Sequence, residues 1–148
     1  MKDLTLPIFV GVLVFAASQY FLKLILEPII DFRKLLSEIS HAVLLNQNSI
    51  LKGGSADNEL QDKLAALSAK LRAYAYLIPF YSFWSKLYIF SLPKKENILL
   101  ACRELNWLSF GASKRDEEIP RIIETNNDSL MRLSQLLNIE TTYIIKDE

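Results

Sequence analysis

Between Asp3 and Lys23 the chain carries no charged residue, and the run Leu4 to Leu22 includes Ile8, Phe9, Val10, Val12, Leu13, Val14 and Phe15. Wound as a helix this run is about 29 Å long, close to the roughly 30 Å hydrocarbon thickness of a bilayer. Pro7 falls in the first turn, where its missing N–H costs little, and Ser18 and Gln19 are the only strongly polar groups deeper in the run. The pattern predicts a transmembrane helix marked by Leu4, Ile8, Val12, Phe15 and Leu22. A cleaved signal peptide is the main rival, because Ala16 and Ser18 place small residues before Gln19. Against it stand a weak basic start and an apolar run that resumes at Tyr20, Phe21, Leu24, Ile25 and Leu26. A buried core helix is the third reading, although such runs are usually shorter.

After Glu27-Pro28, where proline can open a new helix or kink a continuous one, the pattern turns amphipathic. Ile25, Ile29, Phe32, Leu36, Ile39 and Val43 recur at spacings of four and three, opposite Asp31, Arg33, Lys34 and Glu38. Leu35, Ala42, Leu44 and Leu45 widen the apolar face beyond a two-stranded seam and favour packing into a bundle. Gly53-Gly54-Ser55 breaks the pattern, and Asp57 or Asn58 can cap a second helix with seam Leu60, Leu64, Leu67, Leu71, Tyr74 and Ile78, ending at Pro79. Two such seams joined by a short loop predict an antiparallel hairpin. A third helix is expected over 94–110 on Ile98, Cys102, Leu105 and Leu108, with Gly111 suited to its end. Beyond the polar segment Ser113 to Glu118, Pro120 can open a fourth, with Ile123, Asn126, Leu130, Leu133 and Leu137 inward; Thr141 to Ile145 reads as a short extended tail.

Half of the sixteen aromatic residues crowd between Tyr74 and Pro93, where Lys86 is the only charge. Phe80, Tyr81, Phe83, Trp84, Tyr88 and Phe90 are the candidate interface. Core or intersubunit packing is the first reading of this segment. A helix over 80–90 lying in the headgroup region is the second, since Tyr and Trp join an apolar body to a polar atom; shallow insertion into the membrane is the third.

Composition narrows the function classes. The 148 residues hold 17 basic and 17 acidic side chains, one His and one Cys. Balanced charge without a basic stripe gives no footprint for nucleic acid. One Cys and one His cannot build a disulfide framework or a Cys/His zinc site, so neither metal nor cofactor is expected. The 51% apolar content slightly exceeds the usual range, and the excess sits in the span and the aromatic segment. His41, one turn after Glu38, could form an acid–base pair, but nothing nearby supplies a nucleophile, and a solvated helix face explains it better. Cys102 lies on an apolar stripe and reads as inert. Asp116, Glu117 and Glu118 lack the alternation and the turn glycine of a calcium loop. No phosphate loop, dinucleotide glycine pattern, nucleophile elbow or zinc-protease motif is present, so no catalytic residue is nominated.

The segment Leu26-Glu27-Pro28-Ile29-Ile30, followed by Arg33, Glu38-Ile39 and Leu44-Leu45, resembles small, functionally uncharacterised bacterial membrane proteins with an N-terminal span. In those sequences too an Arg-containing helix runs into aromatic and proline-rich sequence, as Leu71-Arg72 to Pro93 does here. The resemblance implies a bacterial membrane location and carries over no activity.

The expectation is therefore an all-α chain: residues 1–27 an anchor and junction, residues 28–148 a cytoplasmic bundle of three to four helices. Lys23, Arg33 and Lys34 after the span outnumber Lys2 before it, which puts the C-terminal bulk inside and the protein in the inner membrane. The expected role is non-enzymatic: a scaffold, adaptor or assembly subunit that contacts the bilayer and a protein partner or a second copy of itself. An oligomeric membrane effector or channel subunit is the alternative, with Gly11, Ala16, Ala17 and Ser18 offering close helix contact. An enzyme acting on a membrane-associated substrate is the third class.

Overall fold

The structure is a computed structural model that describes residues 5–52, 58–87, 90–111 and 119–143. Leu4, the Gly53-Gly54-Ser55 break, Asp57, Tyr88, the Ser113–Glu118 segment and residues 144–145 lie outside the described residues. Among those described, every regular element is helical.

The first two helices are one rod. Helix α1 (Thr5–Phe21) passes through a π-helical turn (Leu22–Leu26) directly into α2 (Glu27–Leu45), and Leu6–Leu45 forms a single stretch of 40 residues, about 60 Å long. Pro28 cannot donate to the Leu24 carbonyl and its ring would crowd that group. The wider turn just before it absorbs the conflict, with the Glu27 N–H donating to the Leu22 carbonyl. Proline thus reshapes the ladder without ending the helix.

The two halves of the rod meet different surroundings. From Leu6 to Leu24 every side chain is exposed, whereas Ile29, Phe32, Leu35, Leu36, Ile39, Ala42 and Val43 are buried in the core. The α1 half is long and apolar enough to cross a membrane, and none of its most apolar window is covered by the rest of the protein. Its apolar side chains are distributed around the whole helix, as lipid immersion requires and a surface-lying helix does not.

Helix α2 stops at Asn46, whose side-chain amide donates to the Ala42 carbonyl (2.8 Å), and a short α3 (Gln47–Lys52) follows. The apolar pattern alone gave no sign of this break: Asn46 leaves the helical backbone (φ -107°, ψ 15°) while both its backbone N–H and its side-chain amide donate to the Ala42 carbonyl. Helices α4 (Asn58–Leu77), α5 (Tyr81–Lys86), α6 (Lys95–Gly111) and α7 (Ile119–Leu137) complete the fold. Helices α2 and α4 are antiparallel, since Glu38 reaches Lys70 while Phe32 meets Tyr74. Helix α4 makes its broadest packing on α6, also antiparallel, with Ser68 beside Cys102 and Tyr76 beside Lys95. Helix α6 packs on α7, and α7 returns to α3.

Most seam positions behave as their spacing predicts, but Ile25 and Tyr74 are half-buried, and Leu45, which the spacing put on the apolar face of α2, is exposed because it lies at the helix end. Leu60, Leu64, Leu67, Leu71 and Ile78 of the second, and Ile98, Cys102, Leu105 and Leu108 of the third, are buried. In α7 Leu130, Leu133 and Leu137 are buried, but Ile123 is 38% exposed and does not belong to the inner stripe. Asn126 is buried and donates to the Ile50 carbonyl (2.7 Å), tying α7 to α3. Asn126→Ala removes this bond to a buried carbonyl and is expected to cost about 1–3 kcal/mol in a denaturant melt. Helix α7 closes on Asn138, in the left-handed region at φ 54°, and the Ile139 N–H bonds back to the Ser134 carbonyl (3.2 Å). The tail beyond is irregular: Thr141 donates to the Leu130 carbonyl and Ser40 to the Glu140 carbonyl, which holds it between α7 and α2.

Candidate membrane and partner-contact surfaces

The antiparallel pairings give the domain two poles. The N-terminal part of α2, the end of α4, α5 and the start of α6 gather at the pole from which α1 emerges. The end of α6 lies at the opposite pole.

At the first pole the aromatic segment is divided between core and surface. Among the described residues of 80–90 the α-helix is confined to Tyr81–Lys86, shorter than the helix expected over 80–90, because Phe80 takes a left-handed backbone (φ 55°) and Leu87 an extended one. Tyr81 is buried, its hydroxyl donates to the Pro93 carbonyl (2.6 Å), and its ring stands 6.2 Å from Phe32. Burial pushes the Tyr81 hydroxyl well above its ordinary range, so it stays protonated and donating. Trp84 and Phe90 are half-buried against the core, whereas Phe80 is 81% and Phe83 58% exposed. The Trp84 ring meets Phe83 edge-on at 5.1 Å, Phe90 at 5.7 Å and, from the last residue of α1, Phe21 at 6.0 Å. Its indole N–H is enclosed without an acceptor, so Trp84→Phe removes no hydrogen bond.

Beside this cluster a groove of about 740 Å³ is lined by Lys86, Lys94, Lys95 and Glu96 with the hydroxyls of Ser82, Ser85 and Ser91. Lys95 Nζ lies 4.0 Å from the centroid of the exposed Tyr76 ring.

At the second pole Trp107 and Phe110 are largely exposed on the outer face of α6. They escape a reading based on seams because both fall off the buried stripe of Ile98, Cys102, Leu105 and Leu108. The available signal was that they are large aromatics at polar-face positions.

The titratable candidates occupy ordinary settings. His41 is exposed, and Glu38 lies 3.6 Å from Lys70. Lys34 is held above its usual range by a hydrogen bond from its ammonium to Asp31 (2.9 Å), on a fully solvated face. Cys102 is buried; its thiol donates to the Ser68 carbonyl while the Ser68 hydroxyl donates to the Cys102 carbonyl. Burial raises the thiol's pKa. Slow alkylation at neutral pH is therefore expected, rising to the rate of a free thiol only on unfolding, as an iodoacetamide time course would show. Because the folded state binds these protons more tightly, Tyr81 and Cys102 stabilise the fold below pH 9 and lose that contribution as pH rises further. A melting temperature that falls from pH 8 to pH 11 is expected. No cluster of three or more metal-ligating side chains occurs among the described residues.

No protein-family model matches the chain, and neither a curated protein nor a solved structure gives a significant match. The surfaces are therefore interpreted from their own chemistry.

Proposed function

We propose that the chain is a single-pass protein of the bacterial inner membrane whose anchor holds a cytoplasmic bundle of three to four helices at the bilayer. The bundle acts there as a non-enzymatic scaffold, adaptor or assembly subunit through protein contacts, self-association included. The observation that carries this reading is the uninterrupted helix Leu6–Leu45, apolar and exposed in its first half and part of the domain core in its second. A helix built this way fixes the orientation of the domain as well as its location. The exposed Trp107 and Phe110, at the pole away from the anchor, support a protein contact, since aromatic side chains dominate interface energetics.

Purification of the full chain in mild detergent with mass determination tests the role, alongside Trp107→Ala/Phe110→Ala. A complex larger than the monomer that the double substitution dissolves is expected. A monomer whose mass is the same with and without the substitutions contradicts the reading. Reporter fusions at both ends test orientation, with a C-terminal reporter active only in the cytoplasm expected.

A further inference from the structure

We infer that the pole from which the anchor emerges is seated on the bilayer, with Leu77, Phe80 and Phe83 entering the interfacial layer and Lys86, Lys94 and Lys95 meeting anionic lipid headgroups. The inference rests on the anchor reading and adds what the anchored domain touches. Three independent observations converge on it.

The first is position. Phe21, at the end of α1, packs edge-on against Trp84 of α5 at 6.0 Å. If α1 crosses the membrane, its end lies at the boundary of the hydrocarbon, and α5 is held there with it. The second is exposure. Phe80 presents a ring that is 81% exposed from a left-handed backbone that favours glycine, and Phe83 and Leu77 are exposed beside it. A bulky apolar side chain on a strained backbone is a poor choice for a face meeting only water, and a fitting one for a face meeting lipid. The third is charge. Lys86, Lys94 and Lys95 line one groove next to these rings with a single carboxylate, Glu96, which leaves the groove net positive, and among the described residues none of the three lysines has an ion-pair partner. Apolar wedges flanked by lysines are the composition of a surface that rests on anionic membranes. A protein covering the same face would have to share it with the lipid around Phe21, which favours the bilayer as occupant.

The test uses the full chain in nanodiscs of phosphatidylcholine alone or mixed with phosphatidylglycerol. A nitroxide is placed at Ser82→Cys in a Cys102→Ala background, with a second version at Asn106→Cys, distant on α6. In the anionic discs the Ser82 label is expected to be shielded from a water-soluble nickel relaxant and open to oxygen, and the Asn106 label open to nickel. Lys86→Glu/Lys94→Glu/Lys95→Glu is expected to lower the docked-to-undocked ratio roughly 100-fold, at about fivefold per lysine lost. Phe80→Gly relieves the left-handed backbone, so it should keep the fold and still raise nickel access at Ser82. A Ser82 label as open to nickel as the Asn106 label, in a chain that stays with lipid through an alkaline wash, would overturn the inference alone. Shielding that survives the triple substitution and brings spin–spin broadening would also overturn it, in favour of a second copy. Release of the chain by the wash would instead remove the anchor reading beneath it.

Discussion

Phe32→Ala is expected to lower the unfolding free energy by about 3–5 kcal/mol, the range for removing a fully enclosed aromatic ring. Phe32 has no exposed surface, and its ring stands 6.3 Å from Tyr74 of α4 and 6.2 Å from Tyr81 of α5. It therefore joins the helix that continues from α1 to two of the elements, α4 and α5, at the pole from which α1 emerges. The loss should spread to α5, because Tyr81 is held by Phe32 on one side and by its bond to the Pro93 carbonyl on the other. A urea melt of the detergent-solubilised chain, followed by circular dichroism, measures the effect. Phe83→Ala is the control, because a largely exposed ring that keeps only its edge contact with Trp84 should cost no more than about 0.5–1.5 kcal/mol. Equal losses from the two substitutions would mean that the outer face of α5 is core.

The second large effect is expected in the span. Val12→Arg/Phe15→Arg places two guanidinium groups near the middle of the apolar run, at about 2.5–3.5 kcal/mol each on the insertion scale. Together these amount to about 5 kcal/mol or more, enough to move the chain from the carbonate-resistant membrane fraction to the wash. Leu45→Arg is the matched control: it lies on the same continuous rod, exposed, but beyond the span. Its expected effect on membrane retention is nil. Loss from both variants would show that folding of the domain, and not the span, governs retention.

The long helices were legible in the sequence because each buries one stripe at spacings of three and four, and a stripe is a local property. The second seam shows this well: Leu60, Leu64, Leu67, Leu71 and Ile78 are all buried, and the helix ends just before Pro79. The long exposed apolar helix at the N-terminus was legible as a local property too, a run without charge. What the pattern missed depends on single polar bonds or on distant chain. Asn46 ends α2 by leaving the helical backbone while its side chain bonds back to the Ala42 carbonyl, which leaves no trace in apolar spacing. Asn126 read as an inward position of its stripe, and the structure makes it a tie to the Ile50 carbonyl, 76 residues away in sequence. The aromatic segment could not be divided in advance, because Tyr81 and Phe83 are chemically alike and only the positions of Phe32 and Pro93 decide which is enclosed. Ile123 errs in the opposite direction: its spacing suits the stripe, but it remains partly exposed near the start of α7.

The central claim is that one helix crosses the bilayer and continues uninterrupted into the core of the domain. A nitroxide scan of the full chain in nanodiscs, one label at a time from Ile8 to Leu22 and on through Ile39, addresses it most directly. Expected is high oxygen and low nickel access at every position of the first stretch, deepest near its middle, without helical periodicity. From Ile29 onward, low access to both reagents should recur with the seam at Ile29, Phe32, Leu36 and Ile39. Nickel access alternating with a period of 3.6 residues between Ile8 and Leu22 would instead describe a helix lying on the membrane surface, and would contradict the claim.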